Sequence, residues 1–189
     1  HDAALWRLAG APAAVTVTGD GMPPFVQGTA VMVAPGLALT NRHVVFPPAG
    51  GLALARRFPG TTRAMPKGRL TVTLDFAHDD GAPGRGPRLC VTGIPFVAAP
   101  RDPVDAALLT LDAPGPPPLP VADGAPPDDL CVVGHPGPMA GAPEAVFAVF
   151  GTPDARKRLS FGRLMGVAGG DILHDASTIG GYSGAAVSA

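Results

Sequence analysis

The chain has 189 residues, long enough for one large domain or two small ones that bury a real core. Its 14 basic and 15 acidic residues leave a formal net charge of −1, so no field of one sign is available to hold a polyanion or a membrane surface, and nucleic acid is not an expected partner. Gly and Pro number 26 and 24, yet 46% of the residues are hydrophobic, so these breakers punctuate short strands rather than mark a disordered chain.

The opening HDAALWRLAGAPAAV offers a short helix over Asp2–Leu8, but neither the basic start nor the long apolar run of a secretion signal. From Ala13 onward come six predicted strands: AAVTVTG, FVQGTAVMVA, LALTN, RLTVTLDFA, RLCVTGIPFVA and DAALLTLD. Each is rich in Val, Thr or Leu and bounded by Gly, Pro, Asp or Asn. Residues 113–129, APGPPPLPVADGAPPDD, carry too many prolines for a sheet interior or a helix and read as an extended connector. Beyond it LCVVGHPG, EAVFAVFG, RLSFGRLMGV, DILHD and GAAVSA are again short and strand-like. The expectation is a mostly β chain with a first half over 1–112, a linker over 113–129 and a second half over 130–189. Nowhere do about 18 uninterrupted apolar residues occur, so nothing is expected to span a membrane as a helix. The two cysteines, Cys90 and Cys131, allow one bridge or two free thiols and leave the redox compartment open.

Three residues stand where chemistry can be done. His43 follows the strand LALT within LTNRHVV; Asp105 opens the apolar strand of DAALL; Ser183 sits in the glycine-rich STIGGYSGAAV. A serine hydroxyl is a poor nucleophile unless a base takes its proton, and the tetrahedral intermediate needs donors aimed at its oxyanion. Glycines meet the second need, because backbone N–H groups converge on a ligand where side chains would obstruct the chain. Asp102, three residues before Asp105, precedes Pro103 rather than a strand and reads as an exposed turn residue. His78, His135 and His174 read as loop residues, and no pair shows metal-ligand spacing, so neither metal nor cofactor is expected.

LTNRHVV resembles the L-T-A/N-x-H-V-V stretch of trypsin-like serine peptidases, DAALL resembles their D-I-A-L-L, and GGYSG their G-G/D-x-S-G. The order His, Asp, Ser, with spacings of 62 and 78 residues, is that of chymotrypsin, not of subtilisin-like enzymes or α/β-hydrolases. The resemblance implies an all-β fold of two six-stranded Greek-key barrels with the active site in the cleft between them. It implies a catalytic triad of His43, Asp105 and Ser183 and an oxyanion hole from the N–H groups of Gly181 and Ser183. The run HDASTIGGYSG is similar to the D-x-S-T-x-G-G-N-S-G of the bacterial glutamyl endopeptidase branch, where a threonine matching Thr178 helps to bind the substrate carboxylate; Tyr182 departs from the usual Asn. The expected function is serine endopeptidase action on protein or peptide substrates, with a catalytically incompetent binding module or an esterase as the alternatives. Such peptidases include secreted enzymes and intracellular modules joined to sensor domains, which leaves compartment and further regulatory domains open. Only six residues follow Ser183, so the second barrel is expected to be truncated and the chain alone inactive or poorly active.

Overall fold

The computed structural model describes residues 2–19, 21–48, 51–77, 87–137, 143–151 and 154–188. Helix α1 (Asp2–Gly10) leads into β1 (Pro12–Gly19), β2 (Met22–Ala34) and β3 (Leu37–Thr40), followed by the single helical turn α2 (Arg42–Val45). A hairpin of β4 (Ala55–Arg57) and β5 (Ala64–Pro66) comes next, then β6 (Leu70–Asp75), β7 (Arg88–Val97) and β8 (Ala107–Leu111). Hydrogen bonding runs β7-β6-β1-β2-β3-β8 and returns to β7, which closes a six-stranded barrel; β5 and β4 extend the sheet from β7. All six barrel strands fall where the alternating runs place them.

Closure demands curvature, and β1 supplies it with register shifts against β2 at Val15/Thr16 and Val17/Gly19. Inward side chains fill the barrel: Val15, Met32, Val72, Leu74, Val91 and Leu109 are all buried. Burial of this kind contributes roughly 1.5–3 kcal/mol per large aliphatic side chain.

The second half forms an open, curled sheet in the order β11-β10-β9-β12, from β9 (Asp129–Gly134), β10 (Arg158–Ala168), β11 (Asp171–His174) and β12 (Ala186–Ser188). Strand β9 is buried on both faces. Its Cys131 and Val133 join the large core with the barrel, whereas Leu130 and Val132 form a small core with Ala176 and Tyr182. Along β10, by contrast, Phe161, Met165 and Val167 alternate outward at 74%, 68% and 58% exposure, an uncovered apolar stripe.

Two sequence expectations change. EAVFAVFG is not a strand: Glu144–Phe150 is helix α3, with Pro143 at its N-cap and Gly151 at φ +67° ending it. A six-residue apolar run, AVFAVF, fits either structure, and the flanking Pro and Gly, with Glu144 in the first turn, decide for the helix. The hairpin β4–β5 lies in a stretch where the sequence offers no strand. The cysteines resolve to two free thiols, Cys90 exposed and Cys131 buried. No helix among the described residues is long and apolar enough to cross a membrane.

Candidate active site

The strand-to-helix junction at β3 and α2 sets the first side chain. Val44 and Val45 are buried under the turn, which anchors it and leaves His43 half-exposed on the opposite side. Gln27 on β2 holds the turn from beneath, donating to Val44 O at 2.6 Å and Leu52 O at 3.0 Å. Asn41 occupies the N-cap but does not cap; its Nδ2 donates instead to Asp105 O at 2.8 Å.

Asp105 lies two residues before β8. One carboxylate oxygen bonds the His43 ring at Nδ1, and the other accepts the His43 backbone N–H at 3.1 Å. Burial pushes the Asp105 carboxyl up, but hydrogen bonds from the His43 ring and backbone, with the charges of His43 and Arg42, outweigh it and hold the group below the usual carboxylate range. Asp102 turns elsewhere, its Oδ1 accepting Val104 N–H at 2.9 Å within its own turn.

Ser183 arrives from the other sheet, in the turn before β12. Its Oγ lies 2.7 Å from His43 Nε2, so His43, Asp105 and Ser183, spread over 140 residues of chain, form one hydrogen-bonded line. Two glycines shape this turn. Gly181 has φ +98° and Gly184 φ +85°, and a Cβ on either would collide with backbone: with Gly137 N and His135 O at the first, with Thr29 O at the second. Neither the Gly181 N–H nor the Ser183 N–H donates to a backbone carbonyl among the described residues, whereas Tyr182 N–H between them bonds Ile179 O at 3.2 Å. Thr178 is exposed in the preceding segment.

What joins the two sheets here is a residue sequence reasoning missed. Thr29, wholly buried on β2, donates from Oγ1 to Gly181 O at 2.9 Å and accepts the His135 N–H at 2.9 Å. Its own N–H bonds Ser183 O at 2.8 Å, and its carbonyl accepts the hydroxyl of the buried Thr40 at 2.6 Å. One threonine thus ties the serine turn to the barrel. His135 lies in the loop just past β9, as the sequence reading has it, but it is fully buried there, and its Nδ1 lies 2.9 Å from Ala155 O. His174 ends β11 and is partly buried, and His78 lies outside the described residues. Burial raises both thiols, and for Cys90 the nearby Asp112 charge adds to the effect, so neither is an activated nucleophile.

A family model described as a trypsin-like peptidase domain matches residues 28–188. No curated protein sequence matches the chain. Among solved structures it is similar to the Rv3671c protease of M. tuberculosis in its active form, at 17% identity and a TM-score of 0.57, covering 97% of this chain and 66% of that one. The inactive form of that protease gives 19% identity and a TM-score of 0.50, with 95% and 73% covered. A mutant of it in the inactive form gives 18% and 0.53, with 95% and 69% covered. At these identities the likeness is one of fold.

Proposed function

The chain belongs to the trypsin-like peptidase family, and from that premise we propose that it is a serine endopeptidase whose nucleophile, base and orienting acid are Ser183, His43 and Asp105. The observation that carries the reading is the continuous line from the Asp105 carboxylate through the imidazole to Ser183 Oγ, 2.7 Å from Nε2. Ser183 Oγ attacks a substrate carbonyl as His43 takes its proton; His43 then returns the proton to the leaving amine, and water hydrolyses the acyl-enzyme. Asp105 holds the imidazole in the tautomer that leaves Nε2 free to accept, and stabilises the imidazolium once it forms. Gly181 N–H and Ser183 N–H are the donors for the oxyanion, free of backbone partners among the described residues. Residues 1–112 and 130–189 are the two domains of this reading, joined by 113–129. Protein or peptide substrates follow from the family itself.

Reaction with a fluorophosphonate tests the armed serine directly. Stoichiometric modification of Ser183 is expected, and absence of labelling in a folded protein would mean a binding module. The finer reading takes Thr178, exposed five residues before Ser183, as part of a site for acidic side chains, in keeping with the likeness to glutamyl endopeptidases. Among matched Glu, Lys and Phe peptides, the Glu peptide is expected to be cleaved in preference to the other two, measured on the longest form of the protein. Preference for Lys or Phe removes the role given to Thr178.

A further inference from the structure

The stretch from Ala98 to Ala106, which delivers Asp105, has neither strand nor helix to hold it. Carbonyls along it and at the end of β7 are instead gathered by three side chains, those of Asn41, Arg42 and Arg57. Arg57 donates to Val97 O at 3.2 Å and to Ala98 O at 2.7 Å. Arg42 donates through Nη1 to Ala99 O and, at 3.2 Å, to Asp102 O, and Asn41 donates to Asp105 O. Arg42 alone also reaches the acid itself: its Nε lies 3.5 Å from Asp105 Oδ1, and its side chain is only 19% exposed.

We propose that Arg42 is a positioning residue for the Ser183 chemistry, its guanidinium splicing the Asp105 segment onto the helical turn that carries His43. The inference rests on the serine peptidase reading of the site. A planar guanidinium spans the two carbonyls and the carboxylate at once, with donors in a fixed fork; a lysine has one mobile ammonium and cannot bridge the same three points. Arg42 adjoins His43 in sequence, so each contact it makes fixes the distance between base and acid rather than some remote part of the loop.

Charge gives the role a signature that mere loop stability lacks. The guanidinium adds a positive charge beside the acid–base pair, after the His43 hydrogen bonds that do most to hold the Asp105 carboxyl below its usual range. Loss of that charge leaves the coupled pair easier to protonate, and the acid limb of activity is expected to move to higher pH. The other charged groups on the packed elements do not compensate. Asp102 is engaged by Val104 N–H, Arg101 is exposed, and Arg57 sits over the Phe46 ring, 4.8 Å from its centroid.

The second-order rate of fluorophosphonate labelling, followed from pH 5 to 9 on the folded protein, reads both effects. Arg42→Gln is expected to slow labelling about ten- to hundredfold, the scale on which misplaced catalytic groups lose rate. It is also expected to raise the acid limb by about half a unit to one unit. Arg42→Lys is expected to keep most of the limb position while losing rate, since it retains the charge and not the fork. Arg57→Gln, which removes carbonyl contacts farther from the acid, is expected to lower the melting temperature with the limb unmoved. If the wild-type protein is not labelled at Ser183, the serine peptidase reading fails. If the wild type is labelled and both Arg42 variants match it in rate and pH profile, the positioning role is wrong while that reading stands. A limb shift equal in the Arg57 and Arg42 variants would also overturn the role, by reducing it to loop stability.

Discussion

Ser183→Ala is expected to leave the fold intact and to lower turnover by roughly six orders of magnitude, because members of such a triad act as a unit. The change removes a single oxygen atom whose partner is His43 Nε2, at 2.7 Å. The contacts that seat the turn are made by backbone: Ser183 O accepts Thr29 N–H at 2.8 Å, and Ala185 N–H donates to Tyr182 O at 2.7 Å. Alanine keeps both. The N–H groups assigned to the oxyanion remain as well, so a small rate above that of water persists, on the order of a thousandfold or ten thousandfold. His43→Ala is expected to be equally damaging. The comparison uses whichever length of the protein cleaves peptides, with circular dichroism to confirm folding. A folded Ser183→Ala protein that keeps more than about a hundredth of the parent activity would show that another group is the nucleophile.

The six barrel strands are legible in the sequence because their Val, Thr and Leu alternate and are cut off by Gly, Pro and Asp. Where that signal thins, the reading thins with it. The β4–β5 hairpin has three-residue strands whose buried members are Ala55 and Ala64, too short and too small to show a period. Helix α3 is apolar without alternation, and its identity lies in the flanking Pro143 and Gly151 rather than in the run itself. The motifs named the candidate His, Asp and Ser, but no motif contains the distances among them. Thr29 is the sharper case. On a strand a threonine is an ordinary β-former, and only the fold reveals that its hydroxyl stands between Gly181 O and His135 N–H. Arg42 is similar, since a charged residue beside a histidine carries no sign in sequence of which carbonyls it will reach.

Asp105→Asn separates the orienting acid from its neighbour three residues earlier. The amide is close to the carboxylate in shape, so the turn that carries His43 is expected to keep its place, with the Asn Oδ1 still accepting the His43 backbone N–H. What changes is the ring. With the carboxylate gone, the amide nitrogen facing Nδ1 is a donor, and the imidazole answers with the tautomer that carries its hydrogen on Nε2. That nitrogen then cannot accept the Ser183 proton, and the expected loss near neutral pH is about four orders of magnitude. Asp102→Asn is expected to cost little, because an asparagine oxygen accepts Val104 N–H in the same turn as the aspartate does. The two variants also differ in their response to acid. A carboxyl held below its usual range stabilises the fold at pH values above about 4, where the unfolded group is ionised too, and loses that contribution as pH falls through the folded value. Asp105→Asn removes this part of the acid decline in melting temperature; Asp102→Asn leaves it in place. Should Asp102→Asn prove the crippling change and Asp105→Asn the mild one, the acid of the site would move by three residues, and the DAALL strand would no longer mark it.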